Sequence, residues 1–418
     1  MLDIKWIREN PDLARKGFDA KFTPINVDEL LNLDAERRKL LLEVEKLKAQ
    51  RNDASDQISK LKKVGKKDEA EKLIASMKSI SQLIAKIDNK VGGVNASLDS
   101  IMYLIPNIPD NGVPVAPGAK GNKVIRSWGD ANELQFKGLD HLEIAEKLGW
   151  LSMRKGGKIT GSAFPVYEGY GAKLERALIN LMLDRHTKQG GYREIWPPAL
   201  VNRASMTGTG QLPKFEDDMY RLKDDDLFLV PTAEVPVTNL LRDEILQEKD
   251  LPVKYAAYSP CFRREAGSYG KDTRGLSRVH QFDKVEMVKF VTPGKGLEEL
   301  ELLVKDAEAI LQALELPYRV VLLGTGDLSF SSAKCYDLEA WAPVTGKWFE
   351  VSSCGYFGDF QARRMNIRFR TQNQKLEYVH TLNGSGVALA RTVLCLLENF
   401  QTQDGKVQFP KALEPYLK

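Results

Sequence analysis

Residues 262–287, FRREAGSYGKDTRGLSRVHQFDKVEM, mix cations, carboxylates, aromatic rings and glycines in a segment whose pattern predicts strand, loop and strand. Alternate residues share one face of a strand. We therefore expect one face to carry Arg263 and Glu265 from the first strand, and Arg278, Phe282 and Glu286 from the second. Such a face could bind a nucleotide, with arginines on phosphate oxygens, a ring under the base and a carboxylate on an exocyclic amine. A surface hairpin with salt bridges is the alternative.

The stretch HTLNGSGVALARTVLCLLENFQ predicts a polar turn, with Asn383 and Ser385, that leads directly into an apolar helix. Backbone N–H groups at a helix start can bind an anion or a small polar ligand. Arg391 would lie on the apolar side of that helix. Because a buried arginine needs an anionic partner, it indicates either a ligand phosphate or a structural salt bridge.

Two shorter stretches carry further oxygen donors. In GKWFEVSSC, Glu350 and Ser353 come at the predicted end of a strand. They could supply ligands to Mg²⁺, which takes few protein ligands alongside phosphates. In LVPTAEVPV, Thr232 and Glu234 are predicted to share a strand face, where a hydroxyl and a carboxylate could hold an ammonium group.

Several common catalytic patterns are absent from the sequence. There is no GxxxxGK[ST] loop for a P-loop site, and no strand-borne GxGxxG followed by an acid, as a Rossmann fold requires. The 4 histidines do not cluster, and no Ser-His-Asp or Cys-His set is evident. The 4 cysteines form no CxxC pair, which argues against a disulfide framework or a zinc ribbon and favours a reducing compartment.

The elements that must position these residues begin with a long helical segment. Apolar or small residues recur every three or four positions in residues 26–104, interrupted only by Arg37 and Arg51, on both sides of the break KKVGKK. This heptad seam predicts two helices, each roughly 48 Å long, that fold back as an antiparallel hairpin. The seam consists of Leu30, Leu33, Leu40, Val44, Leu47, Ala54, Ile58 and Leu61 before the break, and Ala70, Leu73, Met77, Ile80, Ile84, Ile87, Val91, Val94, Leu98 and Ile101 after it.

A hairpin of this length must project into solvent, and two purposes fit its pattern. It could be a dimerisation or scaffold coiled coil. It could also be a rigid lever that binds a phosphate backbone, which a cationic tip favours. The lysines that crowd the predicted tip are Lys60, Lys62, Lys63, Lys66 and Lys67.

Residues 105–123 are rich in Pro, Gly and Asn, which is typical of a linker. Beyond them, β-rich runs are not regularly alternated with helical stretches such as 171–189 and 294–315. We therefore predict an α+β fold built on a largely antiparallel sheet. The predicted domains are 1–104 for the helical arm and 124–418 for the α+β part.

The composition of the 418 residues, 43% hydrophobic and 28% charged, is ordinary for a globular protein. The net charge of +4 is small and does not itself indicate a nucleic-acid partner. The sequence opens on no apolar signal core and contains no apolar run of about 18 residues. We expect a cytoplasmic protein without a membrane or DNA partner.

These stretches, in this order, resemble the class II aminoacyl-tRNA synthetases, and most closely the bacterial-type seryl-tRNA synthetases, over essentially the whole chain. GYREIWPPALV is similar to the first class signature, which builds the dimer interface in the family. FRREAG…TRGLSRVHQFDKVE resembles the second signature and NGSGVALARTVLCLLENFQ the third. PTAE and EVSSC…DFQARRMNIR resemble further stretches of the seryl branch.

The resemblance implies a role for each matching residue. Arg263 would bind the α-phosphate of ATP, Glu265 the adenine amine, and Phe282 would stack on adenine. The full ATP set is Arg263, Arg264, Glu265, Arg278, Phe282, Glu350, Val351, Ser352, Ser353 and Arg391, in which Arg278 and Arg391 meet the outer phosphates. The serine set is Thr232, Ala233, Glu234, Arg263, Glu286, Asn383 and Ser385. Arg263, Arg391 and Glu350 would be catalytic, and Glu350 with Ser353 would hold Mg²⁺.

Three positions depart from the family pattern. Arg264 replaces a usually smaller residue, although its parity directs it away from the site. Ala163 stands where the family often has arginine, and Ala390 where glycine is common. None of these touches a core contact, so the implied roles are retained.

The implied activity is that of a serine–tRNA ligase. It would activate L-serine with ATP to seryl-adenylate and transfer serine to the 3′ end of tRNA(Ser), with tRNA(Sec) as a further candidate. The resemblance also implies a homodimer. Two alternatives are a ligase that loads an amino acid on a carrier protein and a non-catalytic, synthetase-derived RNA-binding protein. The arm argues against the first, and the joint retention of Arg263, Glu265, Glu350 and Arg391 argues against the second.

Overall fold

The computed structural model describes residues 1–266 and 274–418. Between the two strands of residues 262–287, the sequence predicts a flexible loop with Gly267, Gly270 and Gly275; of these, Gly267 and Gly270 lie outside the described residues. The chain forms two compact units: Leu2–Asp19 with Thr23–Ile105, and Pro106–Lys418 with Met1 and Ala20–Phe22. The predicted domain limits at 104 and 124 stay predictions.

The helical unit contains the predicted antiparallel hairpin. Its helices are α1 (Ile4–Glu9), α2 (Pro11–Ala20), α3 (Val27–Lys63) and α4 (Lys67–Met102). Seam residues such as Val44, Ile84 and Ile87 are buried between α3 and α4. The break between the helices falls at Gly65, whose φ of 81° is a backbone conformation that favours glycine. The predicted helical hairpin is therefore confirmed.

The second unit is built on a sheet of eight strands. Every neighbouring pair in it is antiparallel except β4 and β8, and the order is β1-β10-β11-β12-β15-β9-β8-β4. The strands of the unit are β1 Lys123–Trp128, β2 Leu151–Ser152, β3 Val166–Tyr167, β4 Arg193–Ile195, β5 Leu200–Asn202, β6 Leu227–Leu229, β7 Ile245–Gln247, β8 Val253–Phe262, β9 Gln281–Val291, β10 Tyr318–Leu322, β11 Lys334–Ala342, β12 Lys347–Gly358, β13 Arg368–Arg370, β14 Leu376–Tyr378 and β15 His380–Ala388. The predicted fold class, α+β on a largely antiparallel sheet, is confirmed.

Helices cover one face of this sheet and form the main core with it. Apolar residues of α7, α10 and α12 pack against the central strands, as the fully buried Leu178, Leu303 and Leu394 show. The helices of the unit are α5 His141–Lys147, α6 Met153–Ile159, α7 Tyr170–Lys188, α8 Arg203–Thr209, α9 Glu234–Thr238, α10 Gly296–Ala313, α11 Phe360–Met365 and α12 Leu389–Asn399.

No helix in the ranges 1–266 and 274–418 combines the length and the apolar character needed to cross a membrane. All 4 cysteines are buried free thiols, so none of them forms a disulfide.

The hairpin seam makes a prediction about stability. Ile84 is 5% exposed and lies in the seam, whereas the neighbouring Leu83 is 42% exposed. Replacing Ile84 by alanine should destabilise the hairpin by about 3 kcal/mol, because it leaves a cavity between two helices. The matched change Leu83→Ala should cost less than about 0.5 kcal/mol. Amide hydrogen exchange within α3 and α4 measures both effects, and equal effects of the two changes would contradict the predicted seam.

Candidate active site

The second unit contains a cavity of about 700 Å³ in which the chemically active residues converge. Strands β9, β11, β12 and β15 contribute residues to it, together with the first turn of α12. The predicted site residues that line it are Thr232, Glu234, Arg263, Glu265, Arg278, Phe282, Glu286, Glu350, Val351, Ser352, Ser353, Asn383, Ser385 and Arg391. The sequence thus identified residues from four distant segments that do meet in space.

Two of the predicted site residues do not line the cavity. Ala233 is fully buried in an apolar cluster beside the sheet. The Arg264 backbone N–H donates to the carbonyl of Asp218 at 3.0 Å, and its guanidinium donates to that of Asp217 at 3.1 Å. Arg264 therefore faces away from the cavity, as its parity predicted.

The residues expected to bind a nucleotide do converge, but the alternation of side chains along strands is not the reason. β8 ends at Phe262 and β9 begins at Gln281, so Arg263, Glu265 and Arg278 lie in the connection and not on strands. They meet through side-chain contacts: Arg278 forms an ion pair with Glu265. The guanidinium carbon of Arg263 lies 5.2 Å from the centroid of the Phe282 ring. The prediction that these residues lie together is correct. The prediction that they share a strand face is wrong for Arg263, Glu265 and Arg278, which lie outside the strands.

A β-bulge brings Glu350 and Ser353 to the same cavity. Both lie within β12, not at its end as the sequence suggested. Glu350 pairs with Glu339 of β11 and Ser352 with Leu338, so Val351 is an extra residue in the ladder. A bulge shifts the alternation by one residue. Glu350 and Ser353 can therefore both line the cavity although they are three positions apart. Without the bulge, strict alternation would place them on opposite faces of the strand.

Arg391 connects this strand to the first turn of α12. Its Nη1 donates to the Glu350 carbonyl at 2.8 Å and lies 3.5 Å from the Glu350 carboxylate, and its Nε donates to the Ser277 carbonyl at 3.0 Å. The side chain of Arg391 remains 31% exposed. These contacts fix the base of the guanidinium and leave part of it open to the cavity.

The polar residues before α12 belong to a strand. Asn383 and Ser385 lie in β15, and the helix begins only at Leu389, so the predicted anion site at a helix start is wrong. Ser385 pairs directly with Glu286 of β9. A side chain at Gly386 would come within 2.8 Å of the imidazole Nε2 of His186. Glycine is therefore required there for close packing.

The predicted ammonium site is a buried polar network. Glu234 is the first residue of α9, and Thr232 precedes that helix, so the predicted shared strand face is wrong here too. The Thr232 hydroxyl donates to the Glu286 carboxylate at 3.2 Å. The amide of Gln361 donates to the Glu234 carboxylate at 2.7 Å. Both carboxylates are less than one-tenth exposed.

Lys284 is a site residue that the sequence interpretation missed. Its ammonium lies in the cavity, forms an ion pair with Glu286, and donates to the Thr232 hydroxyl at 2.9 Å. The signal was available, because Lys284 alternates with Phe282 and Glu286 along β9. A lysine with that parity on a buried strand needs an anionic partner.

Burial controls the protonation of this network. It raises the pKa of Glu234 to about 7, and the neighbouring Glu286 carboxylate adds to the effect, although Gln361 and Lys284 oppose it. Burial, and then the Glu350 carboxylate, raise the pKa of Asp337 well above its usual range. Carboxyl groups are therefore crowded at two places along the cavity wall, and burial there favours their protonated, neutral forms.

The residues beside Glu350 fit a magnesium ion. Ser353 faces Asp337 across the β11–β12 ladder, so carboxylate and hydroxyl oxygens are close together. Mg²⁺ is bound in proteins by one or two carboxylates plus phosphates and water, which this donor set can provide. In the described ranges no cluster of three or more His, Cys, Asp or Glu side chains forms a metal cage.

Two family models match the chain. One is described as the seryl-tRNA synthetase N-terminal domain and matches residues 1–109. The other is described as the tRNA synthetase class II core domain (G, H, P, S and T) and matches residues 214–400.

Similar proteins match over the whole length. The serine–tRNA ligase of Desulfitobacterium hafniense is 52% identical over 418 residues, which cover 100% of this chain and 99% of that protein. The crystal structure of seryl-tRNA synthetase from Pyrococcus horikoshii complexed with ATP has a TM-score of 0.91 and 39% identity, and covers 100% of this chain and 98% of that one. The cytoplasmic serine–tRNA ligase of Naegleria fowleri in complex with AMP has a TM-score of 0.87 and 30% identity, and covers 100% and 97%.

Because the pKa of Glu234 is raised, replacing this carboxyl group should stabilise the fold by an amount that depends on pH. The folded pKa of about 7 lies above the usual value of 4.5, so between these values the folded state holds a proton that the unfolded chain has lost. Folding stability contributed by this group therefore falls as pH rises through that window. Glu234→Gln should raise the free energy of unfolding by about 3 kcal/mol near pH 8 and by much less near pH 5. Denaturant unfolding at both pH values measures it, and an equal difference at the two values would refute this interpretation.

Proposed function

The chain belongs to the seryl-tRNA synthetase family and is a serine–tRNA ligase, and from this premise we propose how its cavity performs the reaction. The observation that carries the proposal is the convergence of Arg263, Arg391, Phe282 and Glu286 in one cavity. The two alternative functions are not favoured, because the match to serine–tRNA ligases covers the catalytic unit and the helical arm together.

We propose that ATP binds across Phe282 between Arg263 and Arg391. The Phe282 ring is available as a plate for adenine, and Arg263 lies over it at 5.2 Å. Arg263 would bind the α-phosphate and Arg391 an outer phosphate, because a guanidinium matches phosphate oxygens with paired donors. Glu265 and Arg278 form an ion pair, and in this proposal the carboxylate accepts from the adenine amine while Arg278 turns to the outer phosphates.

Glu350 and Ser353 would hold Mg²⁺ when ATP is bound. Bound there, the ion neutralises charge on the phosphates. The chain's own contribution is to hold Glu350 in place through Arg391 and to present Ser353 at the bulge of β12.

We propose that serine binds in the network of Thr232, Glu234, Glu286 and Lys284. The carboxylates would accept hydrogen bonds from the substrate ammonium. Ser385, which pairs with Glu286 across the sheet, would lie near the substrate hydroxyl. A site that hydrogen-bonds the hydroxyl rejects alanine by several orders of magnitude, because its buried polar groups would be left without partners. Threonine also carries a hydroxyl group, so the shape of the site must exclude it.

The proposed reaction has two steps. The serine carboxylate attacks the α-phosphorus of ATP, which releases pyrophosphate and forms seryl-adenylate. A terminal ribose hydroxyl of tRNA then attacks the acyl carbon, and AMP leaves. Positioning and charge stabilisation by the arginines carry most of the catalysis. No histidine lines the cavity within the described residues, which agrees with a reaction that needs no strong base.

We propose tRNA(Ser) as the partner of the helical arm. The lysines Lys60, Lys62, Lys63, Lys66 and Lys67 at its tip are exposed, as contacts to a phosphate backbone require. tRNA(Sec) is a further candidate substrate. We also propose a cytoplasmic homodimer, supported by four free thiols and by Trp196, which is 76% exposed in the stretch that resembles the family's dimer signature.

Amino-acid-dependent pyrophosphate exchange tests this proposal. Across all twenty amino acids, only serine should support exchange. Arg263→Ala should lower kcat/KM by about 10²–10³-fold, because it removes a charged donor to the α-phosphate. The adjacent Arg264→Ala is a matched control, since Arg264 faces away from the cavity, and should stay within a few-fold of the unsubstituted enzyme. Exchange with another amino acid, or equal losses in both variants, would refute the assignment.

Deleting residues 30–101 tests the role of the arm. Closing the gap with a short glycine-serine linker should abolish charging of tRNA(Ser) but leave serine-dependent pyrophosphate exchange. The reason is that every residue lining the cavity, among those the structure describes, lies outside the deleted segment. Loss of both activities in a folded variant would mean that the arm is part of the catalytic fold.

A further inference from the structure

One wall of the cavity is a short loop, residues 329–332, which we call the wall loop. All of its residues line the cavity. Phe330 packs edge-on against Phe215 and Phe360, with ring centroids 6.4 and 5.8 Å away. The loop leads into β11, where Cys335 lies 3.2 Å from the Ser353 hydroxyl in the proposed ATP site. Its position therefore affects the shape of the site.

Lys21 donates to several backbone carbonyls of this wall loop. Its ammonium lies 2.7 Å from the carbonyl oxygen of Ser329, 3.3 Å from that of Phe330 and 2.6 Å from that of Ser332. The side chain is buried, and Lys21 is more than 300 positions away from the loop in sequence. Such a cap gives a buried donor to carbonyls of a loop outside the helices and strands, of which those of Ser329 and Phe330 also accept a backbone N–H.

Asn107 holds the same loop from another part of the chain. Its backbone N–H donates to the Phe330 carbonyl at 3.0 Å, and its side-chain amide donates to the Ser331 carbonyl at 2.9 Å. The same amide donates to the Phe357 carbonyl of β12 at 2.8 Å. Lys21 and Asn107 together contact every carbonyl of the wall loop.

The burial of Lys21 is costly for its charge. Burial, and then the ammonium of Lys214, lower the pKa of Lys21 to about 7. The charged form is thus disfavoured by its surroundings, and the carbonyl contacts must offset that cost.

We propose that Lys21 and Asn107 are positioning residues for serine activation, which hold the wall loop in the conformation that the substrates require. The inference rests on the proposed function of the cavity. Neither residue lines the cavity, so both act through the loop. Lys21 follows α2 and Asn107 follows α4 in sequence, and both residues belong to the same compact unit as the wall loop.

Steady-state pyrophosphate exchange on the full chain, without tRNA, tests the inference. Lys21→Met removes the donors and keeps the stem, and should raise the KM for ATP or serine about tenfold while kcat falls less than about threefold. Asn107→Ala should act in the same direction. Lys21→Arg retains a charged donor and should restore most of the affinity. Lys16→Met, the same change at an exposed position of α2, is the matched control.

The outcomes separate this inference from the proposed function. Thermal unfolding and titration of active sites correct for any variant that is partly unfolded, because a loss of folded enzyme lowers the apparent kcat and leaves KM unchanged. KM values of Lys21→Met equal to those of Lys16→Met, or a failure of Lys21→Arg to restore affinity, would overturn the positioning role. An unsubstituted enzyme without serine-dependent exchange would overturn the proposed function instead.

Discussion

The register of the central antiparallel strands is the constraint on which the rest of the site depends. Because β11, β12, β15 and β9 pair in a fixed register, Ser385 lies opposite Glu286 and residues from distant segments face one cavity. Bulges at Val351 and Gly386 adjust that register locally. A one-residue slip elsewhere in a sheet reverses which face a side chain occupies, so these bulges decide which oxygens point at a ligand.

Buried ionisable groups are the second feature of the site, and Lys284 with Glu286 forms a compensating ion pair among them. Glu234 and Glu286 are close enough to raise the pKa of Glu234, and Lys284 supplies the opposing charge beside Glu286. Removing one partner of a buried ion pair leaves the other charge unpaired in the protein interior, which costs several kcal/mol. The same arrangement is suited to a substrate that carries an ammonium group, because the ligand adds positive charge to carboxylates already held in place.

The helical hairpin was predictable in detail because its pattern is local. A seam repeating every three or four residues needs no information from the rest of the chain, and the break at Gly65 appeared where the sequence put it. The local interpretation failed where tertiary contacts decide the backbone. Thr232 and Glu234 were expected on a strand, but Glu234 begins a helix that Thr232 precedes. Asn383 was expected before a helix but lies in a strand.

The sequence by itself determined the residue types of the site, the α+β class and the hairpin, since these follow from motifs and periodicity. Only the tertiary structure decided that Lys284 joins the buried carboxylates and that Lys21 holds a loop hundreds of residues distant. The physical reason is that hydrogen-bond partners and burial are set by the packing of segments that are remote in sequence, whereas periodicity reports only neighbours along one element.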